Sequence, residues 1–166
     1  ALKDFLLDIS CLNALDNWKD EVNIFDVLKV TNTEIRHSNI LAWLLDPNEN
    51  HGIGDSFLKE FITKIVQRCS EDMCNPFDVL LQDFYTYQVY REANNMDIVL
   101  LSKEEKTAII IQNKIWSGES SHQLNKYLEQ SCLEYSDCKH LLYVFLTPDG
   151  YDSSNPYKWI SISYED

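Results

Sequence analysis

The chain has 166 residues, of which 45% are hydrophobic and 12% aromatic, and it carries a formal net charge of −13 at pH 7. This composition argues against disorder and favours one domain with a substantial core, and no apolar run approaches the about 20 residues that span a bilayer. Because phosphate contacts need lysines and arginines, so acidic a chain is also a poor candidate for a nonspecific nucleic-acid coat.

The first half of the chain predicts helices. Apolar residues recur at spacings of three and four over residues 2 to about 30, from about 34 to 45, and over 56–69. The stretch DPNENHGIG at 46–54 favours a loop because of its proline and glycines. The acidic first residues lack the basic start of a secretory signal, and the five cysteines form no C-x-x-C pair. These features indicate a cytoplasmic protein with free thiols and argue against zinc.

From residue 83 the pattern changes to the alternation that is typical of strands. The predicted elements are strands at 83–92, 96–102 and 107–115, a helix from about 121 to 135, and strands at 140–148 and 158–166. The first three strands predict a meander, and a helix between two strands predicts a crossover and therefore a mixed sheet. Because the chain ends on a strand-like segment, we expect residues 1–166 to form a single domain that is the N-terminal fragment of a longer protein.

The third predicted strand, TAIIIQNKI, begins apolar and ends in Gln112, Asn113 and Lys114. Alternate residues of a strand share a face, so Gln112 and Lys114 lie on the same side of the predicted sheet. A short turn joins this strand to the preceding one, which starts at Asp97. An antiparallel hairpin brings the start of one strand beside the end of the other. We therefore expect Asp97, Gln112 and Lys114 to converge at the rim of the sheet.

An acid, an amide oxygen and an ammonium in one place suit metal-assisted hydrolysis of phosphodiester bonds. Mg²⁺ or Mn²⁺ takes hard oxygen ligands, here the Asp97 carboxylate, the Gln112 amide oxygen and the backbone carbonyl of Asn113. The ion polarises the phosphate, and Lys114 can orient a bound water or offset developing negative charge. On spacing alone, a solvated strand end with a lysine that protects a sheet edge is the more common explanation.

The segments MDIVLL and AIIIQNKI resemble the core motif of the PD-(D/E)XK nuclease superfamily, which has the restriction-endonuclease-like fold. The upstream stretch EIRHSNILAWLLDPNENHGIGDSFLKEF, together with YREANNMDIVL, resembles a prokaryotic branch of uncharacterised superfamily members. The resemblance covers most of the chain and implies an α/β fold. That fold has an αβββαβ core with a central mixed sheet flanked by helices, and here extra N-terminal helices would precede it.

The resemblance also implies roles for individual residues. Asp97 matches the invariant metal-binding acid, and Lys114 matches the catalytic lysine. Glu34 matches an acid on the first core helix that touches the metal or its water in some members. Gln123 and Tyr127 match a Gln-x-x-x-Tyr pair that lies near the DNA or the active site in RecB-like members. The weaker candidates, for substrate contacts, are these two residues together with His37, His51 and Arg91.

Most of these residues also have an ordinary structural explanation. Glu34 suits the positive end of a helix dipole, and Gln123 completes a capping box with Ser120. Tyr127 is typical of a core aromatic residue with a solvated hydroxyl. Surface or capping contacts explain the two histidines, and a structural ion pair explains Arg91.

Gln112 departs from the usual superfamily pattern, which has Glu or Asp at this position. It is either natural, as in the Mrr-type branch, or a Glu→Gln substitution that silences the enzyme. The flanking pattern IIIxNKI usually carries Glu in the most similar branch, which favours a substitution. Glutamine keeps the shape of the side chain but removes a full negative charge from a ligand of Mg²⁺.

The expected function is that of a Mg²⁺- or Mn²⁺-dependent endonuclease, a hydrolase that cleaves DNA, and family context suggests phage defence or restriction. The acidic charge stands against DNA binding unless a homodimer, a partner protein of a defence system or an absent C-terminal part supplies a basic surface. The alternative is a nuclease-derived interaction or regulatory module without catalysis, which suits both Gln112 and the acidity.

Overall fold

The structure, a computed structural model, describes residues 34–70, 73–115 and 121–166. The helical segment expected over residues 2 to about 30 lies outside these ranges. The described helices are α1 (Glu34–Leu45), α2 (Ser56–Arg68), α3 (Pro76–Leu80) and α4 (Ser121–Glu134). The described strands are β1 (Gln88–Arg91), β2 (Ile98–Ser102), β3 (Thr107–Asn113), β4 (His140–Thr147) and β5 (Trp159–Ser163). Among these helices, none is both long enough and apolar enough to cross a bilayer.

The described strands form one five-stranded mixed sheet in the order β1-β2-β3-β4-β5. The pairs β1–β2 and β2–β3 are antiparallel, whereas β3–β4 and β4–β5 are parallel. Helix α4 connects β3 to β4, so the elements follow the αβββαβ order of the restriction-endonuclease-like core, and the predicted fold class is confirmed. Ile98 of β2 pairs with Ile111 of β3, which places Asp97 opposite Gln112.

The two faces of the sheet pack against different helices, because successive side chains of a strand point to opposite faces. The face toward α1 and α2 buries Leu45, Leu58 and Ile62 with Ile98, Ile109 and Ile111. The opposite face buries Leu124 and Tyr127 of α4 with Val99, Ile110 and Phe145. Every residue of β3 is buried, which explains why its sequence is a nearly continuous apolar run.

The first predicted strand is shorter in the structure. Within residues 83–92, Phe84–Thr86 form a 3-10 turn, and only β1 is a strand. The Asp83 carboxylate accepts the backbone N–H of Tyr85 at 3.0 Å, and the Thr86 hydroxyl donates to the Asp83 carbonyl at 2.6 Å. Such local hydrogen bonds offer the backbone an alternative to the strand ladder, which an alternating aromatic pattern does not reveal.

Helix α3 was not predicted, although its start carries a recognisable signal. Pro76 is its first residue, and the Asn75 side chain accepts the backbone N–H of Phe77 at 3.1 Å. An Asn-Pro pair is typical of a helix start and equally typical of a turn, so the sequence pattern alone does not distinguish the two. The other described helices and strands lie within a few residues of their predicted ends.

Candidate active site

Asp97 lies immediately before β2 and faces the end of β3. Its Oδ2 accepts the backbone N–H of Asn113 at 2.8 Å and Nε2 of Gln112 at 2.6 Å. Its Oδ1 lies 3.3 Å from the hydroxyl of Tyr127 on α4. The structure therefore brings Asp97 and Gln112 together where β2 begins and β3 ends.

The turn before Asp97 has an unusual backbone. Glu92, Asn94 and Asn95 have positive φ angles of 52°, 51° and 65°, a conformation that asparagine adopts more readily than glutamate. The Tyr127 hydroxyl donates to the Asn95 carbonyl at 2.5 Å, and the Glu92 N–H donates to the Asp97 carbonyl at 3.2 Å. Contacts from α4 and from the start of β2 thus hold the turn that presents Asp97.

The Asp97 carboxyl group lies in a largely desolvated position. Burial raises its pKa above the ordinary value of 3.8 and outweighs the influences that act in the opposite direction. The strongest of those are the hydrogen bond from the Asn113 N–H and the positive charge of Lys114, because both stabilise the ionised form. A cation bound beside this carboxylate would act in the same direction as Lys114.

Gln112 is 1% exposed, and only one end of its amide is hydrogen-bonded. Nε2 donates to Asp97, whereas Oε1 is buried and has no partner within the part of the chain that the structure describes. Nε2 rather than Oε1 faces Asp97, because an ionised carboxylate only accepts hydrogen bonds and the amide nitrogen is the donor. A buried amide oxygen without a donor is a costly feature of a core, and it is also a ligand that a hard cation can use.

Lys114 follows β3 and reaches the first residue of α1. Its Nζ lies 3.9 Å from Oε2 of Glu34, and only 12% of the Lys114 side chain is exposed, against 30% for Glu34. The other carboxylate oxygen of Glu34, Oε1, accepts the backbone N–H of Ile115 at 3.1 Å. Glu34 therefore contacts both the ammonium group and the backbone at the end of β3, from a helix turn where an acid is also favoured by the dipole.

A cavity of ≈ 330 Å³ opens beside these residues. Its lining includes the acidic residues Glu34, Glu92 and Asp97 together with Lys114 and Gln123. That volume accommodates several water molecules. A larger cavity of ≈ 570 Å³, with Tyr90 and Cys138 in its lining, lies elsewhere and contains none of the predicted site residues.

Gln123 and Tyr127 lie one helical turn apart on α4 and are in contact. Nε2 of Gln123 donates to the Tyr127 hydroxyl at 3.3 Å. Tyr127 is 1% exposed, and burial raises its pKa well above the ordinary tyrosine value, so the hydroxyl keeps its proton. Ser120, the other half of the predicted capping box, lies outside the described residues. Through Tyr127, Gln123 is therefore linked to the Asp97 carboxylate on the same side of the site.

Arg91 joins α1 to the strand ends. Its Nη1 donates to the Asp97 carbonyl at 2.6 Å, and its Nε donates to Oδ1 of Asn39 at 3.0 Å. Its Nη2 donates to the Ile35 carbonyl at 3.4 Å. Arg91 lines the cavity, but these three hydrogen bonds already engage its guanidinium group within the protein.

The two candidate histidines lie away from this cavity. Nε2 of His51 donates to the Asp46 carbonyl at 2.8 Å, and its Nδ1 accepts the Ile53 N–H at 3.2 Å. Its ring packs edge-on against Trp43 with a centroid distance of 5.3 Å, so His51 organises the 46–54 loop. His37 is half-buried on α1, and neither histidine is among the residues that line the cavity.

Two residues that the sequence did not suggest also reach the site. Ser38 lies one turn after Glu34 and lines the cavity, whereas Tyr164 follows β5. Each makes a 2.8 Å hydrogen bond with the side chain of Asn113. The spacing of Ser38 from Glu34 could have indicated its position, but no local pattern points to Tyr164.

A family model described as the PD-(D/E)XK nuclease superfamily matches residues 22–166. The chain belongs to this superfamily. The resemblance noted in the sequence is thereby confirmed, and the mixed sheet with flanking helices agrees with it. Comparisons with curated proteins and with solved structures give no significant match.

PD-(D/E)XK nucleases generally use divalent metal ions, so the question for this site is which of its atoms could bind one. Within residues 34–70, 73–115 and 121–166, no three Asp, Glu, His or Cys side chains form a group that could hold a metal ion. The site instead offers two carboxylates, those of Asp97 and Glu34, and the amide oxygen of Gln112, which no described residue contacts by a hydrogen bond. These oxygen donors suit Mg²⁺ or Mn²⁺, with one negative charge fewer than a glutamate at position 112 would supply.

Proposed function

We propose that this chain is a Mg²⁺- or Mn²⁺-dependent endonuclease that hydrolyses phosphodiester bonds in DNA. The observation that carries the proposal is the 2.6 Å contact between Asp97 and Gln112, whose Oε1 has no hydrogen-bond partner among the described residues. Lys114 and Glu34 line the cavity beside this pair. Hard oxygen donors next to an ammonium group suit metal-assisted hydrolysis of a phosphate diester, and membership of a nuclease superfamily supports the same reaction class.

Four groups would hold the metal ion in this proposal. They are the carboxylates of Asp97 and Glu34, Oε1 of Gln112 and the backbone carbonyl of Asn113. The Asn113 N–H already faces Asp97, and the N–H and C=O of one strand residue point to the same side, which supports the use of this carbonyl. When bound, the ion would polarise the phosphate and lower the pKa of a coordinated water.

Lys114 is the proposed charge-stabilising residue. Its side chain is mostly buried, so its ammonium group acts in a lower dielectric than bulk water and its field is stronger there. Its charge favours the ionised form of Asp97, which is the form that binds a cation. The same ammonium can orient the attacking water or offset the negative charge that develops on the phosphate, and Glu34 holds it toward α1.

Substrate contacts are proposed first for Gln123 and Tyr127. Gln123 lines the cavity, where a bound phosphate would approach, and the buried Tyr127 contacts both Gln123 and Asp97. Weaker support exists for Arg91, whose guanidinium group is already engaged, and for His37 and His51, which do not line the cavity.

DNA is the proposed substrate although the chain carries a net charge of −13. Binding to a polyanion requires a locally positive surface, which a second copy of the chain or a partner protein would supply. Phage defence or restriction is the proposed setting, on the superfamily context alone. The cysteines at 69, 74, 132 and 138 are free thiols, which supports a cytoplasmic location.

A second candidate function is a nuclease-derived interaction module without catalysis. The observation that favours it is that an amide N–H of Gln112 donates to Asp97 Oδ2, so this oxygen has a hydrogen-bond donor within the protein itself. The described residues also lack a cluster of three acidic, histidine or cysteine ligands. Such a module would keep the fold and bind no divalent ion.

Cleavage of supercoiled and linear DNA in Mg²⁺ or Mn²⁺ tests the two candidates, with this chain compared with its Gln112→Glu variant. Cleavage by both proteins supports the nuclease and identifies Gln112 as a working ligand. Cleavage by the Gln112→Glu variant alone identifies this chain as a silenced nuclease.

Asp97→Asn in each protein is the matched control, because it preserves shape and removes the carboxylate. Any cleavage that survives in this control comes from a contaminant or from another site. If neither protein cleaves DNA or binds either ion, the nuclease proposal fails and the interaction module is favoured.

A further inference from the structure

Asn113 stands in the sequence between Gln112, a proposed metal ligand, and Lys114, the proposed charge-stabilising residue. Its side chain lies inside the fold. Asn113 is 1% exposed, and its amide is satisfied at both ends. Nδ2 donates to the Ser38 hydroxyl at 2.8 Å, and Oδ1 accepts the Tyr164 hydroxyl at 2.8 Å. One side chain therefore links α1, the end of β3 and the segment after β5.

Ser38 transmits this link to Glu34. The two residues are one helical turn apart, so they lie on the same face of α1. Ser38 is 3% exposed and lines the same cavity as Glu34. A hydrogen bond from Asn113 to Ser38 therefore fixes how the first turn of α1 is placed against the end of β3, where Glu34 contacts Lys114 and the Ile115 N–H.

Tyr164 holds the other end of the Asn113 amide. Its hydroxyl donates to Oδ1 of Asn113, because the amide oxygen can only accept a hydrogen bond. Because the Asn113 oxygen accepts from Tyr164, the amide nitrogen must face Ser38, so Tyr164 determines which way the amide points.

We propose that Ser38, Asn113 and Tyr164 form a positioning chain that sets Glu34 relative to Asp97 and Lys114 for the nuclease reaction. This inference rests on the proposed function. None of the three side chains is assigned a contact with the metal ion or the scissile phosphate. They act through Glu34, and a displacement of about 1 Å at a catalytic group can reduce a rate about a hundredfold.

The test uses Ser38→Ala and Tyr164→Phe. Each substitution removes one hydroxyl oxygen and with it one hydrogen bond to the Asn113 side chain. Tyr157→Phe is the matched control, because Tyr157 is 87% exposed and lies in another part of the surface. The reference is whichever protein cleaves DNA, this chain or its Gln112→Glu variant. We expect kcat to fall by about tenfold to a hundredfold in both variants, with KM for DNA changed less than about twofold.

A double-mutant cycle with Glu34→Gln separates positioning from a general loss of stability. If Ser38 and Tyr164 act through Glu34, each substitution has little further effect on kcat once Glu34 is Gln. Losses in kcat that multiply independently of Glu34, or an unchanged kcat in an active reference, overturn the positioning chain. If the reference neither cleaves DNA nor binds Mn²⁺, the proposed function fails first, and this inference falls with it.

Discussion

Gln112 Nε2 donates a 2.6 Å hydrogen bond to Asp97 Oδ2, and the same carboxylate oxygen accepts the Asn113 N–H. An uncharged amide that donates a hydrogen bond thus occupies the position where a glutamate would place a second negative charge. Two carboxylates at this distance cannot both stay ionised without a cation between them. The identity of residue 112 therefore decides how strongly the site depends on a metal ion.

The first prediction concerns stability and metal in the Gln112→Glu variant. Without divalent ions we expect it to be less stable than this chain at pH 7, by about 1–3 kcal/mol, because a buried hydrogen bond is replaced by charge repulsion. Saturating Mg²⁺ should reverse this loss, and ligand at about 100 times its Kd stabilises by about 2.7 kcal/mol. Thermal melting with and without Mg²⁺ measures both effects. Gln67→Glu, at an exposed position on α2, is the control and should show neither.

The second prediction concerns the pH dependence of metal binding. Burial raises the pKa of Asp97 above 3.8, so protons compete with the cation at a higher pH than for an ordinary aspartate. Mn²⁺ affinity, measured by titration calorimetry, should therefore begin to fall, as the pH is lowered, at a higher pH than it would for an ordinary aspartate. In the absence of metal, the native state binds this proton more tightly than the unfolded state does. Protonated Asp97 therefore stabilises the native state at low pH, and this stabilisation is lost as the pH rises from 3.8 through the higher pKa of the native state. An affinity that stays constant down to the ordinary pKa would contradict the assignment.

The third prediction concerns Lys114. Lys114→Met keeps the length of the aliphatic stem and removes the ammonium group, and we expect kcat to fall by about a hundredfold to a thousandfold. The pKa of Asp97 should rise further, because the charge of Lys114 lowers it. Lys59→Met, at an exposed position on α2, is the matched control. Equal cleavage rates for Lys114→Met and the reference would remove Lys114 from the proposed mechanism.

The fourth prediction concerns Gly150, whose φ is +66°. A Cβ at this position would lie 2.9 Å from Cβ and 3.2 Å from the backbone nitrogen of Ser163, so Gly150→Ala is both strained and crowded. Gly52→Ala is the matched control, since φ is +76° there but nothing lies within 4 Å of the added carbon. In urea unfolding, Gly52→Ala should lower the free energy of unfolding by about 1–2 kcal/mol. Gly150→Ala should lower it by about 1–3 kcal/mol more than Gly52→Ala does. Similar losses for the two variants would mean that Ser163 moves freely.

The parts of the fold that the sequence predicted correctly depend on short-range patterns. The change from helical to alternating periodicity near residue 83 and the apolar run of β3 are visible in single segments. The contact of Asp97 with Gln112 is also short-range in this sense, because one hairpin joins residues only 15 positions apart. A turn of known length is enough to infer such a pairing.

The remaining parts depend on contacts that no local pattern encodes. Asn113 meets Ser38 across 75 positions and Tyr164 across 51. The 3-10 turn at Phe84–Thr86 depends on side-chain hydrogen bonds to the backbone, which an alternating pattern conceals. The backbone of the turn at 92–95 depends on a hydroxyl from α4. In each case a tertiary partner or a local hydrogen bond decided the outcome.

The parallel pairing of β3 with β4 has a consequence for the order in which the site assembles. The β1–β2–β3 meander closes short loops, so its strands can pair early, and Asp97 then meets Gln112. The Glu34 contact with Ile115 spans 81 positions, and Tyr164 arrives only after β4 and β5 have added to the sheet. We therefore expect hydrogen exchange during refolding to protect the hairpin before α1 docks. On that order, a partly folded chain would possess the acid–amide pair long before it possessed a complete site.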